Sequence, residues 1–342
     1  MILNKENKYV IFGTGMSSYS YSRSFKRYPV LFYLDNAKER QNTLYNDRPV
    51  LSPAVLKQLD FTDFKTIVAS EFYSEISKQL KEFGLEEGKD FFNEKEVFLE
   101  ETDLFLISFM KCGRTWLRYL IGQLIENKFQ LDNEDKLIYT DCIQINDKLP
   151  KIKAYHDDNP HNKKHDELTQ SLLEFKKHKV IFLVRDPRDV AVSLFYHMKY
   201  RSKHYNGNID DFVLGITPTI VKYYNIWYNN RSEVGDILFV KYENLHNKSV
   251  ETLKEVGDFI GIEDLSQEIL TQAIANSSFQ SMKKYENSNK SDNAQLQSRR
   301  DENASKVRKG KIGGYEDELN PTIVNELNDF IDNNLNKFYG YK

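Results

Sequence analysis

Short apolar runs, each followed by a stretch of mixed, helix-like polarity, recur along the chain. Tyr9-Val10-Ile11-Phe12, Val30-Leu31-Phe32-Tyr33-Leu34 and Thr66-Ile67-Val68-Ala69 have the length and composition of strands. Ser17 to Lys26, Pro53 to Leu59 and Ser74 to Phe83 read as helices, the second with Pro in its first turn and the third stopped by Gly84. Strands alternating with helices predict a parallel, doubly wound α/β sheet. Further along, Leu104-Phe105-Leu106-Ile107-Ser108-Phe109 and Val180-Ile181-Phe182-Leu183-Val184 predict buried strands, each before a helical stretch. Between the two sets, Glu86 to Asp103 is rich in Glu and Lys with few periodic apolar positions, and reads as a linker. The boundary is therefore placed near residue 100, giving a small unit at 1–100 and a larger one at 101–342. Tyr285 to Arg300 is polar and predicts a loop.

Composition narrows the class. The chain has 342 residues, 40% hydrophobic and 29% charged, with a net charge of −3. That balance argues against general nucleic-acid binding, so positive charge must act locally. No run reaches the ~18 apolar residues that a membrane helix needs, and the start carries no signal-peptide core. Two cysteines, Cys112 and Cys142, make no disulfide framework and fit a reducing cytoplasm. No His, Cys, Asp and Glu set has metal-ligand spacing.

The candidate chemistry sits where apolar runs stop. Lys111-Cys112-Gly113-Arg114-Thr115-Trp116 follows the first buried run, and Arg185-Asp186-Pro187-Arg188-Asp189 follows the second. A basic turn between a strand and a helix start offers backbone N–H groups and a favourable dipole to an anion. Two such turns on one sheet predict a nucleotide with phosphates at both ends. Cys112, beside Lys111 at a helix start, is expected to have a lowered thiol pKa, and is either redox-sensitive or an inert thiol donor. Arg114 adds a fork-shaped donor near the phosphates.

These segments resemble the PAPS-dependent sulfotransferases of the cytosolic type. Met110 to Trp116 matches the family's Pro-Lys-Ser-Gly-Thr-Thr-Trp signature, with Cys112 and Arg114 as departures. Arg185 to Ser193 matches its Arg-x-Pro-Arg-Asp-x-x-x-Ser segment, and Arg308-Lys309-Gly310-Lys311-Ile312-Gly313 its Arg-Lys-Gly-x-x-Gly. Tyr242-Glu243-Asn244-Leu245 lies between them in the family's order. The resemblance implies a P-loop-like, three-layer α/β domain with a mostly parallel sheet, which moves a sulfuryl group from PAPS to a hydroxyl and releases PAP.

The same resemblance implies the site. Lys111 contacts the leaving oxygen, and Thr115 with the Gly113 backbone holds the 5′-phosphate. Trp116, Tyr242, Ser277 and Phe279 contact adenine. Arg185, Ser193, Arg308, Lys309 and Gly310 read the 3′-phosphate. His156, at the end of the run Ile152-Lys153-Ala154-Tyr155, fits the general base, with His161 and His165 as competitors. Arg185 could instead pair with Asp186 or Asp189, and Tyr242 and Phe279 could be core residues. The alternatives to sulfuryl transfer are a P-loop kinase and a non-catalytic PAP(S)-binding protein. Gly-x-x-x-x-Gly-Lys-Ser/Thr is absent, which speaks against the first.

The first hundred residues resemble Rossmann-like modules found beside bacterial sugar-modifying enzymes, through the opening strand, Gly13-Thr14-Gly15, helix, strand, Asp35-Asn36. Ser18 replaces the third fingerprint glycine, so a scaffold without a cofactor is expected. A nucleotide site at Gly13, Gly15 and Asp35 is the alternative. By that analogy the hydroxyl acceptor is a carbohydrate or cell-surface glycan. The loops at 127–150 and 199–218, which would shape its pocket, carry no decodable motif.

Overall fold

The computed structural model describes residues 3–15, 18, 22–143, 148–287, 302–305 and 308–341. The chain divides into two compact units, Met1–Asp103 with Asp141–Ile143, and Leu104–Thr140 with Gln144–Lys342.

The first unit is built on β1 (Tyr9–Phe12), α1 (Ser22–Phe25), β2 (Val30–Leu34), β3 (Leu44–Tyr45), β4 (Arg48–Leu51), β5 (Lys65–Val68), α2 (Tyr73–Glu82), β6 (Phe91–Asn93) and α3 (Glu94–Glu101). The sheet order is β3-β4-β2-β1-β5-β6, parallel except for the β3–β4 hairpin. Side chains of β1 alternate between faces, as a pleated strand requires. Tyr9 and Ile11 join Phe25, Val97 and Phe98 on one side, while Val10 and Phe12 join Leu56, Ile76 and Leu80 on the other. Part of the helix expected at Ser17 to Lys26 lies outside the described residues. Pro53–Gln58 is a short 3-10 turn rather than an α-helix.

The linker expected at Glu86 to Asp103 is instead ordered structure of this unit. Phe91, Phe92 and Asn93 pair with β5, and Val97 and Phe98 are buried in the core. These anchors are few and adjacent, so they leave no helical periodicity to read.

The second unit carries β7 (Leu104–Ser108), α4 (Arg114–Phe129), β8 (Ile152–Tyr155), β9 (Lys179–Val184), α5 (Pro187–Tyr196), α6 (Ile209–Asn229), β10 (Asp236–Lys241), α7 (Tyr242–Asn247), α8 (Ser249–Ile260), α9 (Gln267–Asn276), α10 (Phe279–Asn287) and α11 (Pro321–Asn334). A π-turn, His197–Arg201, extends α5. The sheet is parallel throughout, in the order β10-β9-β7-β8. All five residues of β7 are buried, as expected of a parallel sheet covered on both faces. Behind β9, Phe182 stacks on Trp227 of α6 at 4.7 Å between ring centres. Ser288 to Arg300, most of the loop expected at Tyr285 to Arg300, lies outside the described residues. Tyr285 itself belongs to α10 and is buried.

Candidate active site

Every parallel strand of the second unit ends in a candidate residue. Tyr242 follows β10, Arg185 follows β9, the Lys111 turn follows β7 and His156 follows β8. The strand order converts a chain order of 111, 156, 185, 242 into the spatial order Tyr242, Arg185, Lys111, His156. In open α/β sheets this carboxyl edge is where ligands bind.

The Lys111 turn is tight. Lys111 has φ +73° and Gly113 φ +92°. A Cβ on Gly113 would come within 2.5 Å of the Tyr242 ring, so glycine is required both for the turn and for the approach of that ring. Gly113 then starts α4, leaving its first N–H groups directed out of the helix. Lys111 is half-buried, and its ammonium pKa falls to about 8. Burial is the main cause, followed by the positive charges of Arg201 and Arg185; Glu286 opposes the shift, and Arg308 adds to it. Three arginines and one carboxylate thus act on Lys111, and each of those arginines is itself paired with a carboxylate.

The expectation for Cys112 is overturned. Its thiol is fully buried, offers a ligand no surface, and is pushed up to about 12 by that burial. Its sulfur lies 3.1 Å from the Tyr224 hydroxyl. That hydroxyl donates its one hydrogen to the Arg185 carbonyl at 2.9 Å, so the thiol must be the donor and keeps its proton.

The Arg185 segment divides its labour. Asp186 caps α5 and pairs with Arg188 at 2.6 Å, while Arg188, itself buried, also bonds Asn328. Asp189 accepts from the backbone N–H groups of Gly313 and Tyr315 at 2.9 and 3.1 Å, tying the third signature to the second. Arg185 donates to the Lys311 carbonyl at 2.8 Å, lies 3.3 Å from Asp189, and stands 4.4 Å over the Tyr242 ring. Its Nε is buried without a partner in the protein. Arg185 therefore makes the structural pair with Asp189 and still holds an unused donor. Ser193 is half-buried on α5, two turns into the helix.

Trp116, Tyr242 and His246 form an aromatic cluster, with centre distances of 4.5 to 5.6 Å. Trp116 donates to the Ser277 carbonyl at 2.7 Å. The Ser277 hydroxyl is buried and unpartnered, the kind of orphan that a ligand satisfies. Phe279 is part-exposed and lies against Gly310, where a Cβ would meet its ring at 2.6 Å. Arg308 and Lys309 share one carboxylate, Glu318, at 2.8 and 2.5 Å. Arg308 also lies 3.8 Å over the Tyr196 ring. Glu318 is held down to about 2: burial alone would raise it, but the bonds from Lys309, Tyr196 and Arg308 outweigh that. Thr115 and Arg114 are half-buried in the first turn of α4, and Arg114 directs its charge toward His161.

His156 donates from Nδ1 to the Ser108 carbonyl at 2.9 Å. A carbonyl only accepts, so Nδ1 carries a proton, and in the neutral ring Nε2 is the nitrogen that would take another. His161 lies edge-on to it at 5.8 Å. Burial first, and Arg114 second, lower its pKa to about 4, so it stays neutral. His165 is exposed. Arg201, Glu286 and Glu318 join the site without any local signal in the sequence. They reach it from a π-turn, a helix and a loop remote from one another along the chain. Among the described residues no group of His, Cys, Asp and Glu could hold a metal ion, and no helix is long and apolar enough to cross a membrane.

Comparison with known proteins places this edge in context. The family model described as "Sulfotransferase domain" matches residues 101–339, and one described as "C2185-like, N-terminal" matches residues 5–91. Flavonol 3-sulfotransferase of Flaveria bidentis is 25% identical over 258 residues, covering 68% of this chain and 81% of that protein. Cytosolic sulfotransferase 13 of Arabidopsis thaliana is 25% identical over 271 residues, covering 69% and 78%. Mouse sulfotransferase SULT7A1, solved in complex with PAP, is 21% identical with a TM-score of 0.46, covering 68% of this chain and 84% of that one.

Proposed function

The chain belongs to the sulfotransferase domain family, and from that premise we propose that it transfers a sulfuryl group from PAPS to a hydroxyl and releases PAP. The observation that carries this reading is the order of side chains along the sheet edge: aromatic platform, arginine, lysine, histidine. A 3′,5′-substituted adenine nucleotide presents its parts in the same order, with the acceptor last.

Tyr242, Trp116, Ser277 and Phe279 would hold adenine by ring contact and by the unused Ser277 hydroxyl. Arg185, Ser193, Arg308, Lys309 and the Gly310 backbone would take the 3′-phosphate, with the orphaned Arg185 Nε as a donor. Thr115 and the N–H groups at the start of α4 would take the 5′-phosphate. PAPS would supply the sulfuryl group by breaking the S–O bond that bridges its sulfur to the 5′-phosphate oxygen. His156 Nε2 accepts the acceptor's proton as the new S–O bond forms. Lys111 meets the negative charge that collects on the phosphate oxygen as the old S–O bond breaks. Such charge stabilisation, with positioning, is the main work of this class of transfer. Donor anions beside Lys111 favour its ammonium and counter the lowering found without them.

Of hydroxyl acceptors we propose a carbohydrate. The support is the strand, Gly-x-Gly, helix, strand, Asp-Asn opening of the first unit, an argument by analogy. Both cysteines are free thiols, which supports a cytoplasmic setting. The test is an acceptor panel with sulfur-labelled PAPS, spanning sugar, flavonoid and steroid hydroxyls. Transfer to sugars above the others is expected. Release of labelled sulfate without transfer to any acceptor would oppose the transferase reading.

A further inference from the structure

The two cations of the third signature already hold an anion that belongs to the protein. Oε1 of Glu318 lies 2.8 Å from Nη1 of Arg308 and 2.5 Å from Nζ of Lys309. Its other oxygen accepts from the Tyr196 hydroxyl at 2.6 Å. Arg308 covers the ring of the same tyrosine at 3.8 Å. Tyr196 stands three residues after Ser193 on α5, so the two share a face of that helix.

The Glu318 side chain is not what folds this loop. Asp189 takes the N–H groups of Gly313 and Tyr315, and Arg185 donates to the Lys311 carbonyl. The Glu318 N–H closes its own turn onto the Tyr315 carbonyl at 3.1 Å. These bonds already bring the segment to the Arg185 end of the site. A partly exposed ion pair adds little to stability in addition. The carboxylate therefore does its work on the cations themselves. Arg308 and Lys309 carry two positive charges, and Glu318 offsets one of them.

We propose that Glu318 is an internal rival of the 3′-phosphate, an affinity-setting residue that occupies Arg308 and Lys309 and limits how tightly the nucleotide product is kept. The proposal rests on the sulfuryl-transfer reading in one respect, that Arg308 and Lys309 take the 3′-phosphate. A phosphate sharing these two cations comes close to a second negative group, and like charges at such distances repel. Part of the attraction that draws the nucleotide in is thus returned when PAP must leave. The effect belongs to the 3′-phosphate and not to the base or the 5′-phosphate.

The test compares PAP with AMP, which lacks the 3′-phosphate, by calorimetry and by stopped-flow dissociation on the full chain. Glu318→Gln keeps an oxygen acceptor for Arg308 and Lys309 and removes the charge. It should bind PAP about tenfold more tightly, the effect of removing one nearby unit charge in a partly buried site, and release it correspondingly more slowly. AMP affinity should stay within about twofold. Tyr196→Phe loses a bond to Glu318 but keeps the charge, so it should not tighten PAP. A residue that merely shapes the loop would give the opposite sign, weaker PAP binding in Glu318→Gln. Unchanged or weaker PAP binding in that variant, equal tightening of AMP, or equal tightening in Tyr196→Phe would each overturn the proposal. Should Glu318→Gln fail to fold, Glu318→Ala removes the same charge and decides by the same sign. A wild type that binds PAP no better than AMP would instead count against the reading of the 3′-phosphate site, so the two failures are distinguishable.

Discussion

Each unit of this chain opens with a buried strand that ends in a glycine turn, and the two turns do different things. After β1, Gly13 takes φ +117°, and a Cβ there would collide with the Ala69 carbonyl oxygen. Its neighbour Thr14 gives both its N–H and its hydroxyl to Asp35, at 3.1 and 2.5 Å, while Ala37 and Arg40 satisfy the rest of that carboxylate. After β7, Gly113 takes φ +92° against a ring, and three arginines and Glu286 act on the Lys111 of that turn. The first turn is closed around Asp35, although the Ser18 hydroxyl just beyond it is also buried without a partner. The second leaves Arg185 Nε and the Ser277 hydroxyl without partners. Strand, glycine and a leftover hydroxyl are common to both, so the distinguishing feature of the second is the unpartnered charged donor, Arg185 Nε, beside Lys111.

The contrast can be broken most forcefully in the second unit. Lys111→Ala and His156→Ala should each lower turnover by ~10²–10⁴-fold, the usual worth of a charge-stabilising donor or a general base. PAP affinity, read by calorimetry, should change far less. A variant with near-normal single-turnover rate removes that residue from the chemistry, and a shift of the loss to His161→Ala moves the base there.

Adding one methyl to each turn compares them directly. Gly13→Ala should cost ~2–4 kcal/mol of stability, from the left-handed backbone and the clash, with PAP binding kept. Gly113→Ala should weaken PAP by ~10-fold or more, because the Tyr242 ring must shift. If both variants lose only stability, the second turn is a scaffold too.

A smaller effect comes from pH. Lys111 titrates near 8 without ligand, and an anion favours the ammonium. PAP affinity should therefore hold below that pH and fall above it toward the Lys111→Ala level, a total loss of no more than ~10-fold. The slope should disappear in Lys111→Met; if it persists there, another group titrates.

The smallest effect is expected from Asp35→Asn, about 1 kcal/mol at pH 7. Burial raises the Asp35 pKa, but hydrogen bonds from Thr14 and Ala37, together with Arg40, bring it below its ordinary value. A depressed carboxylate stabilises above its unfolded pKa and stops doing so as pH falls through the folded one. The melting temperatures of wild type and variant should thus converge below about pH 4. A gap that persists in acid would assign the effect to shape rather than charge.

The parts of the site that were readable from the sequence are those whose cause is local. A lysine and a glycine between an apolar run and a helix start are adjacent residues, and His156 directly ends a four-residue strand. What could not be read depends on distant partners. Cys112 was expected to be acidic from its neighbours at the helix start, whereas Tyr224 and full burial decide its state. Arg201 and Glu286 are unremarkable within their own segments, and only the fold brings them to Lys111. In the first unit, β6 and α3 read as a linker in the sequence because their apolar anchors, Phe91, Val97 and Phe98, show no period.

The strand order has a consequence for how such a protein can diversify. Among the described strands, β8 lies at the outer edge of its sheet and carries His156, while Arg185 and Lys111 end the two interior strands. As an edge strand β8 pairs with β7 alone, and the loop that follows it falls at the end where the acceptor is expected, whereas the loop before it carries Asp141–Ile143 of the first unit. Grafting that edge from one lineage onto another would exchange what is modified while leaving the nucleotide machinery in place, so chimeras cut on either side of β8 offer a practical route to new acceptors.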